Sequence, residues 1–267
     1  MPEQHSLAES FNAGARDFER MAPSLWNPMG NALVAAADVR MGESVLDAGC
    51  GGGAITLPAA QSAGPGAIVD AVDLSSELLE VAAGKAQTLS LENVAFHNAD
   101  VLTWQPETQY DVVLCGYAVF FLPDMDAGTA HLISLLRSGG RLAVSTWADG
   151  ALTDFTSALF RHCTAEGMEL PEASGGSQDN MLRINTAEKA AAWLQSLGLT
   201  DVKAVQTAAP VALNQDLAWA LVMGSPLRQL LPADPDAAAR VRSAFLEELG
   251  EDYTLNADTL IVTAVKP

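Results

Sequence analysis

Three aspartates, Asp47, Asp73 and Asp100, each follow a short apolar run that is typical of a buried strand. The first is followed at once by a glycine-rich stretch, residues 49–53. Because glycine accepts positive φ and has no Cβ, such a loop lets a ligand approach the backbone closely. Acids at the ends of neighbouring parallel strands meet at one edge of the sheet, where α/β proteins bind nucleotides. The pattern predicts a site for a nucleoside-containing ligand.

The glycine loop by itself leaves two ligands open. Residues 49–54 also satisfy the dinucleotide fingerprint G-x-G-x-x-G/A. A dinucleotide places its pyrophosphate at the helix N-terminus, and the Asp47 carboxylate would repel that anion. S-adenosylmethionine instead presents an ammonium and a sulfonium, which an acid can hold directly or through water. Asp47 therefore favours S-adenosylmethionine, and an NAD-dependent oxidoreductase is the weakest interpretation.

The segment from Val45 to Gly53 resembles motif I of the class I S-adenosylmethionine-dependent methyltransferases, among them the quinone-biosynthesis and secondary-metabolite enzymes that act on small molecules. The resemblance covers residues 44–147 closely and the following chain more loosely. It implies an α/β fold with a seven-stranded, mostly parallel Rossmann-like sheet, helices on both faces and a helical cap.

The cofactor contacts follow from the strand ends and from the resemblance. Asp73 lies 20 residues beyond Gly53, where its carboxylate can accept hydrogen bonds from both ribose hydroxyls. In the family, the acid at Asp100 accepts from the adenine amino group. Backbone carbonyls near residue 115 would hold the donor's ammonium. The residues expected to bind S-adenosylmethionine, or its product S-adenosylhomocysteine, are Asp47, Gly49, Cys50, Gly51, Asp73, Leu74, Asp100, Val101, Cys115 and Gly116.

The acceptor side of the predicted site is aromatic and poor in bases. By resemblance, residues 117–121 face the transferring methyl. Many quinone-type relatives carry histidine near Phe120 and Phe121, whose rings cannot move a proton. The candidate catalytic residues are Tyr117 and, on a predicted lid helix, His162. We expect mainly proximity catalysis, in a substrate pocket lined by Phe18, Trp26, Phe120, Phe121 and Trp147.

A chain of 267 residues can form one large α/β domain with a lid. We expect residues 1–40 to form an N-terminal helical cap segment and residues 41–150 to form the S-adenosylmethionine-binding core. Residues 151–185 are expected to form a lid insertion. Residues 186–267 are expected to form the remainder of the core, with a second cap insertion at about 211–250, because so long a connection between strands is uncommon.

Two predictions concern the limits of helices. After the glycine loop, residues 53–63 predict a helix that Pro58 would bend, because proline lacks the N–H of an interior turn. Further on, Asp124 predicts the start of a helix that runs to about Arg137, followed by a strand from Arg141.

The composition of the chain limits the kinds of molecule that it is expected to bind. The chain has 33 acidic and 14 basic residues, a formal net charge of −19. This balance argues against a broad basic face for nucleic acids or anionic membranes. No apolar run reaches the roughly 20 residues of a membrane span, and the widely spaced cysteines suggest neither a metal cluster nor a disulfide framework. We expect a cytoplasmic protein that acts on a small-molecule acceptor, with the choice between monomer and homodimer left open.

Three functions remain at this point. The first is a methyltransferase that acts on a small apolar or aromatic metabolite through an oxygen, nitrogen or carbon nucleophile. The second is a cyclase-like or pericyclase-like enzyme of the same fold, which binds S-adenosylmethionine without transferring the methyl. The third is a non-catalytic binding protein, which the intact acids and glycine loop disfavour.

Overall fold

The computed structural model describes residues 2–169 and 176–267. Its strands are β1 (Val45–Ala48), β2 (Val69–Asp73), β3 (Val94–Asn98), β4 (Tyr110–Gly116), β5 (Leu136–Trp147), β6 (Thr200–Thr207), β7 (Pro210–Leu213), β8 (Tyr253–Asn256) and β9 (Thr259–Val265). Within the described residues, seven of them form one sheet in the order β3-β2-β1-β4-β5-β9-β6. The first five strands in this order are parallel, whereas β9 runs antiparallel to both β5 and β6.

The helices are α1 (Pro2–Arg20), α2 (Asn27–Ala37), α3 (Thr56–Ala63), α4 (Ser76–Thr88), α5 (Met125–Ser134), α6 (Thr153–Ala165), α7 (Ser177–Arg183), α8 (Ala187–Ser196), α9 (Gln215–Met223) and α10 (Pro235–Leu249). Side-chain caps start five of them: the N-cap side chain accepts a hydrogen bond from the N–H three residues ahead at Ser75, Asp124, Thr186, Asn214 and Asp234. Among the described helices, none has the length and apolar character needed to cross a membrane.

Helices cover both faces of the large sheet. On one face Val45 and Val112 pack with residues of α2 and α3. On the other face Leu46 and Val113 pack with residues of α5 and α8. Because successive side chains of a strand point to opposite faces, both faces are apolar. The predicted α/β class, with its mostly parallel sheet and helices on both faces, is confirmed. The carboxyl edge of this buried sheet is where polar groups can reach a ligand.

A cap lies beside the sheet and consists of α6, α9, α10 and the antiparallel pair β7–β8. Its own apolar cluster centres on Phe155, Phe245 and Leu255, which are fully buried. The pair β7–β8 was not predicted, since each strand has only four residues and its partner lies far along the chain. Residues 170–175 of the predicted lid insertion lie outside the described residues.

The prediction that Pro58 bends a helix is wrong. Residues 51–55 form a turn, so α3 begins at Thr56 rather than at residue 53. Pro58 therefore lies in the first helical turn, where the backbone N–H groups have no partner within the helix. Its missing N–H costs no helical hydrogen bond at that position.

The predicted end of α5 is also wrong. The helix ends at Ser134, and the chain enters β5 at Leu136 instead of at Arg141. The cause is pairing with β4, because Leu136 is already the partner of Tyr110. The pairing of these two strands shifts after Tyr110, which is the signature of a bulge.

Candidate active site

A cavity of about 830 Å³ lies at the carboxyl edge of the sheet, under the cap. This volume is within the usual range of small-molecule and cofactor sites. The sheet contributes the loop after β1 and the residues that follow β2, β3, β4 and β5. The cap contributes apolar side chains, among them Phe155, Phe160 and Leu221. One continuous space thus joins the predicted cofactor edge to an apolar compartment.

The loop after β1 forms a floor built of glycines and one cysteine, Cys50. Gly49 has φ +73°, and a Cβ there would come within 2.6 Å of the Cβ of Ala118. Gly51 has φ +51°, and the ring of Phe18 lies 3.6 Å from the position that its Cβ would take. Both glycines line the cavity. Side chains larger than hydrogen would strain the backbone or fill the space above this loop.

Asp73 joins the loop to the neighbouring strand. Its Oδ2 accepts from the N–H of Gly51 at 2.7 Å, and its Oδ1 accepts from the N–H of Ser75 at 2.8 Å. Burial raises the pKa of Asp73, while these two N–H groups act in the opposite direction. Since Asp73 lines the cavity and each carboxylate oxygen can accept more than one hydrogen bond, it can also receive two hydroxyl donors.

Asp100 lies at the next strand end, as the sequence predicts. Its Oδ1 accepts from the N–H of Leu102 at 2.9 Å, which holds the turn after β3. Asp100, Val101 and Leu74 all line the cavity. Its second carboxylate oxygen is therefore available to a donor such as an amino group, beside two apolar side chains.

Asp47 lies behind the loop and does not line the cavity wall. It is 0% exposed, and its Oδ2 accepts from the hydroxyl of Thr56 at 2.6 Å. Within the described residues its Oδ1 has no hydrogen-bond partner. Burial raises its pKa to about 7. This buried carboxylate oxygen lacks a hydrogen-bond donor. A nearby ammonium group could supply one through a bridging water.

Two cysteines of the predicted site, Cys50 and Cys115, are buried and line the cavity together with Gly116. Burial is the largest cause that raises the pKa of both thiols, that of Cys115 to about 12. Both are therefore neutral at physiological pH and serve as wall groups rather than as nucleophiles.

Aromatic rings form a continuous wall above the floor. Phe18 stacks on Trp26 with ring centroids 4.8 Å apart, and Tyr117 lies 4.3 Å from Trp147. Trp26 links the two pairs, since its ring lies 5.8 Å from that of Tyr117. The structure brings all five predicted pocket residues to the cavity, namely Phe18, Trp26, Phe120, Phe121 and Trp147.

Helix α1 closes the cofactor end through residues that the sequence analysis missed. Phe11 lines the cavity, and the Oδ1 of Asn12 accepts from the hydroxyl of Ser75 at 2.7 Å. Lys85 pairs with Glu19 at 2.6 Å and donates to the carbonyl of Gly52 at 3.0 Å. Only Phe11 had a signal, because it lies on the apolar stripe of the predicted helix. The polar contacts of Asn12 and Glu19 depend on Ser75 and Lys85, in and just before α4, which are distant from α1 in sequence.

Tyr117 lines the cavity, but its hydroxyl is engaged. The hydroxyl of Thr259 donates to the carbonyl of Ala257 at 2.9 Å. Tyr117 therefore donates to Thr259, with which it shares a short hydrogen bond. Burial raises the pKa of Tyr117 far above neutrality. The phenol thus keeps its proton, and a role as a general base is not supported.

The structure does not bring His162 to the cavity. Its Nε2 pairs with Glu248 of α10 at 2.8 Å, within the cap. The expectation that the lid helix presents His162 to the acceptor is therefore corrected: this side chain joins α6 to α10. His97 pairs with Asp70 at 2.7 Å and also lies away from the cavity. Among the described residues, no histidine, lysine or arginine lines the cavity.

These features together fit S-adenosylmethionine. Asp73 can accept from the ribose hydroxyls, and the glycine floor admits the methionine portion. The rings of Trp26 and Tyr117 can stabilise a sulfonium by cation–π attraction. The unpartnered oxygen of Asp47 supplies a negative group for the ammonium.

Comparisons with known proteins agree with this geometry. A family profile described as "Methyltransferase domain" matches residues 40–198. The chain is 32% identical over 156 residues to aklanonic acid methyltransferase DauC from Streptomyces sp. (strain C5). That match covers 58% of this chain and 66% of DauC, just under two thirds of the relative's length.

Two solved structures have the same fold. Magnesium protoporphyrin IX methyltransferase (ChlM) from Synechocystis PCC 6803, solved with S-adenosylhomocysteine, matches with a TM-score of 0.60 and 18% identity over 99% of this chain and 100% of that chain. The [4+2]-cyclase SpnF matches with a TM-score of 0.56 and 20% identity over 90% of this chain and 81% of that chain. Since the family profile spans more than half of the chain, this protein belongs to the methyltransferase domain family, the class I enzymes whose methyl donor is S-adenosylmethionine.

Proposed function

We propose that the protein transfers a methyl group from S-adenosylmethionine to a small apolar or aromatic molecule. The observation that carries the proposal is the continuity of the cavity, which runs from the acids Asp73 and Asp100 to the aromatic wall and the apolar cap. A volume of about 830 Å³ holds a cofactor and a second small molecule side by side. The relative DauC, named for its action on aklanonic acid, supports a small organic molecule as the acceptor.

In this mechanism the protein's own residues bind the cofactor and align the acceptor with it. Asp73 would hold the ribose, Asp100 would hold the adenine, and the glycine floor would let the methionine portion approach the backbone closely. When bound, S-adenosylmethionine would supply an electrophilic methyl on its sulfonium for in-line displacement by the acceptor, with S-adenosylhomocysteine as the leaving group and the proton of a hydroxyl acceptor passing to solvent. The rings of the aromatic wall would exclude water and offer flat faces, among them that of Trp147, on which a planar acceptor can stack. Such alignment accounts for a large part of the rate, of the order of several kcal/mol.

The substitution Tyr117→Phe is expected to leave turnover within about tenfold of the original, because the phenol is not poised to accept a proton. It should lower the free energy of unfolding by about 1 kcal/mol through the lost hydrogen bond to Thr259. Turnover against pH and chemical denaturation measure the two effects. A much larger fall in turnover, together with loss of the limb on which turnover rises with pH, would contradict the assignment and make Tyr117 a base.

The proposed function is tested with methyl-labelled S-adenosylmethionine and a panel of hydroxylated naphthalenes and anthraquinones. Calorimetry should first show one S-adenosylhomocysteine bound per chain and no NAD. Label should then appear in at least one product, with release of S-adenosylhomocysteine. Binding of NAD alone would contradict the choice of cofactor, and cofactor binding without labelled product would contradict transfer to this class of acceptor.

The cyclase hypothesis has one observation in its favour. No histidine, lysine or arginine lines the described cavity, and a rearrangement within one molecule needs no such base. The likeness to SpnF establishes only a shared fold. Isomerisation of an unlabelled polyene substrate, with S-adenosylmethionine bound and unconsumed, would favour this function over transfer.

A further inference from the structure

One carboxylate lines the cavity far from the cofactor acids. Asp149 follows β5 by two residues, next to Trp147, and lines the cavity as an exposed residue that solvent also reaches. In the sheet order β5 stands three strands from β2, whose end carries Asp73. Since neighbouring strands lie about 4.8 Å apart, Asp149 is on the order of 14 Å from Asp73. It therefore lies at the acceptor end of the space.

The structure holds Asp149 in place with a buried amide. Asn185 is 7% exposed and lines the same cavity. Its Nδ2 donates to the Oδ1 of Asp149 at 2.6 Å, and its carbonyl accepts from the N–H of Asp149 at 2.8 Å. Its own Oδ1 accepts from the Nζ of Lys189 at 2.8 Å. The amide is thus oriented by the lysine, so that its N–H group faces the carboxylate.

This arrangement leaves a directed acceptor on the wall. Asn185 occupies one oxygen of Asp149, while no hydrogen bond to the other oxygen is found among the described residues. Lys189, the nearest cation of the group, donates to Asn185 and to the carbonyl of Leu182 rather than to Asp149. The negative charge of Asp149 is therefore not cancelled by a direct ion pair.

We propose that Asp149 is the specificity-determining residue at the acceptor end, where it accepts a hydrogen bond from a hydroxyl or ammonium group of the methyl acceptor and disfavours a carboxylate or phosphate. The proposal rests on the proposed function, since it assigns the acceptor to this part of the cavity. Two observations carry it: a positioned carboxylate, and a described cavity wall without lysine, arginine or histidine. A charge-assisted hydrogen bond to such a group is stronger than one between neutral partners.

The test uses three probes that share one ring: 2-naphthylmethylamine, 2-naphthalenemethanol and 2-naphthoate. Each is titrated by calorimetry into the full-length protein saturated with S-adenosylhomocysteine, whose sulfur is uncharged. The wild type should bind the ammonium most tightly and the carboxylate most weakly. In Asp149→Asn the ratio of ammonium to carboxylate affinity should fall by roughly tenfold, with the carboxylate gaining affinity. Asp252→Asn removes the same charge at an equally exposed position that does not line the cavity, and it should leave the ratio unchanged.

A purely structural role for Asp149 would weaken all three probes together, so opposite changes for the two ions distinguish recognition from packing. Asp149→Ser removes the same charge and supplies the comparison where Asp149→Asn folds poorly. An unchanged ratio with intact S-adenosylhomocysteine binding overturns the proposal, as does a wild type that prefers the carboxylate or binds no probe. Failure of the wild type to bind S-adenosylhomocysteine contradicts the proposed function instead.

Discussion

Replacement of Asp73 with asparagine is expected to weaken S-adenosylhomocysteine binding by roughly ten- to a hundredfold, which corresponds to about 1.5–3 kcal/mol. The carboxylate does two things at once, since it receives the amides of Gly51 and Ser75 and faces the cavity. Asparagine keeps the volume but replaces one accepting oxygen with an NH₂ group. One amide then loses its acceptor, and one ribose hydroxyl loses a charged partner. Titration calorimetry measures the change.

The matched control for this effect is Asp252→Asn, which removes one charge from an exposed position. Its affinity should equal that of the original protein, so that a general change in net charge is excluded. Thermal unfolding of both variants shows whether the loop after β1 remains folded. Unchanged affinity in a folded Asp73→Asn protein would show that Asp73 serves the loop and does not touch the ribose.

Replacement of Asp47 with asparagine is expected to stabilise the protein at neutral and alkaline pH, by up to about 4 kcal/mol. The folded-state pKa of about 7 lies above the ordinary value of 3.8, because burial penalises the charged form. Asparagine resembles the protonated acid in volume, and its oxygen can still accept from the hydroxyl of Thr56. The variant thus removes the cost of a buried charge without opening a void.

The direction of this pH effect follows from proton binding. Below about pH 4, Asp47 is protonated in the folded and unfolded states, so the variant and the original should be equally stable. Between about pH 4 and pH 7 the folded state holds the proton more tightly, and the stability of the original falls as pH rises. Above about pH 7 the charge is present in both states and the full difference remains.

Urea denaturation of both proteins from about pH 4 to about pH 8 measures the effect as a difference. Asp111 and Asp126 have lowered pKa values, through bonds to Ser44 and Arg137 and to Arg183 respectively, and act in the opposite direction. Their contributions are common to both proteins and cancel. A difference that does not vary with pH would contradict a raised pKa for Asp47. Saturating S-adenosylmethionine should reduce the difference, since an ammonium group near Asp47 favours its ionised form.

The cofactor edge could be predicted because it depends on strand ends. Asp73 and Asp100 follow apolar runs, and parallel strands bring their ends to one edge whatever the rest of the chain does. The same logic placed Asp47 at the tip of β1, but it could not show which way the side chain points. The hydroxyl of Thr56, at the start of α3, draws that carboxylate behind the loop. A side chain's direction depends on neighbours that the strand pattern does not specify.

The catalytic candidates were harder to place because they depend on packing between distant segments. His162 was predicted to be catalytic because it lies on a helix expected to form a lid facing the acceptor, yet its ring pairs with Glu248 of α10 within the cap. The hydrogen bond that occupies the Tyr117 hydroxyl depends on Thr259, which is more than 100 residues away in sequence. The amide of Asn185 binds Asp149, 36 residues earlier in the chain, whereas the neighbouring Thr186 caps α8. In each case the partner is remote in sequence.

The connectivity of the cap has a consequence for the range of acceptors. The chain enters the cap from β5 through α6, and again from β6 through β7 before it returns by β8 to β9. Because two separate excursions connect it to the sheet, and β5 and β9 are themselves paired, a rigid-body movement of the cap must involve both connections. We expect the acceptor compartment to be largely ordered before a ligand arrives, which lowers the ordering cost of binding. A preset compartment of this kind selects acceptors by shape at the moment of entry.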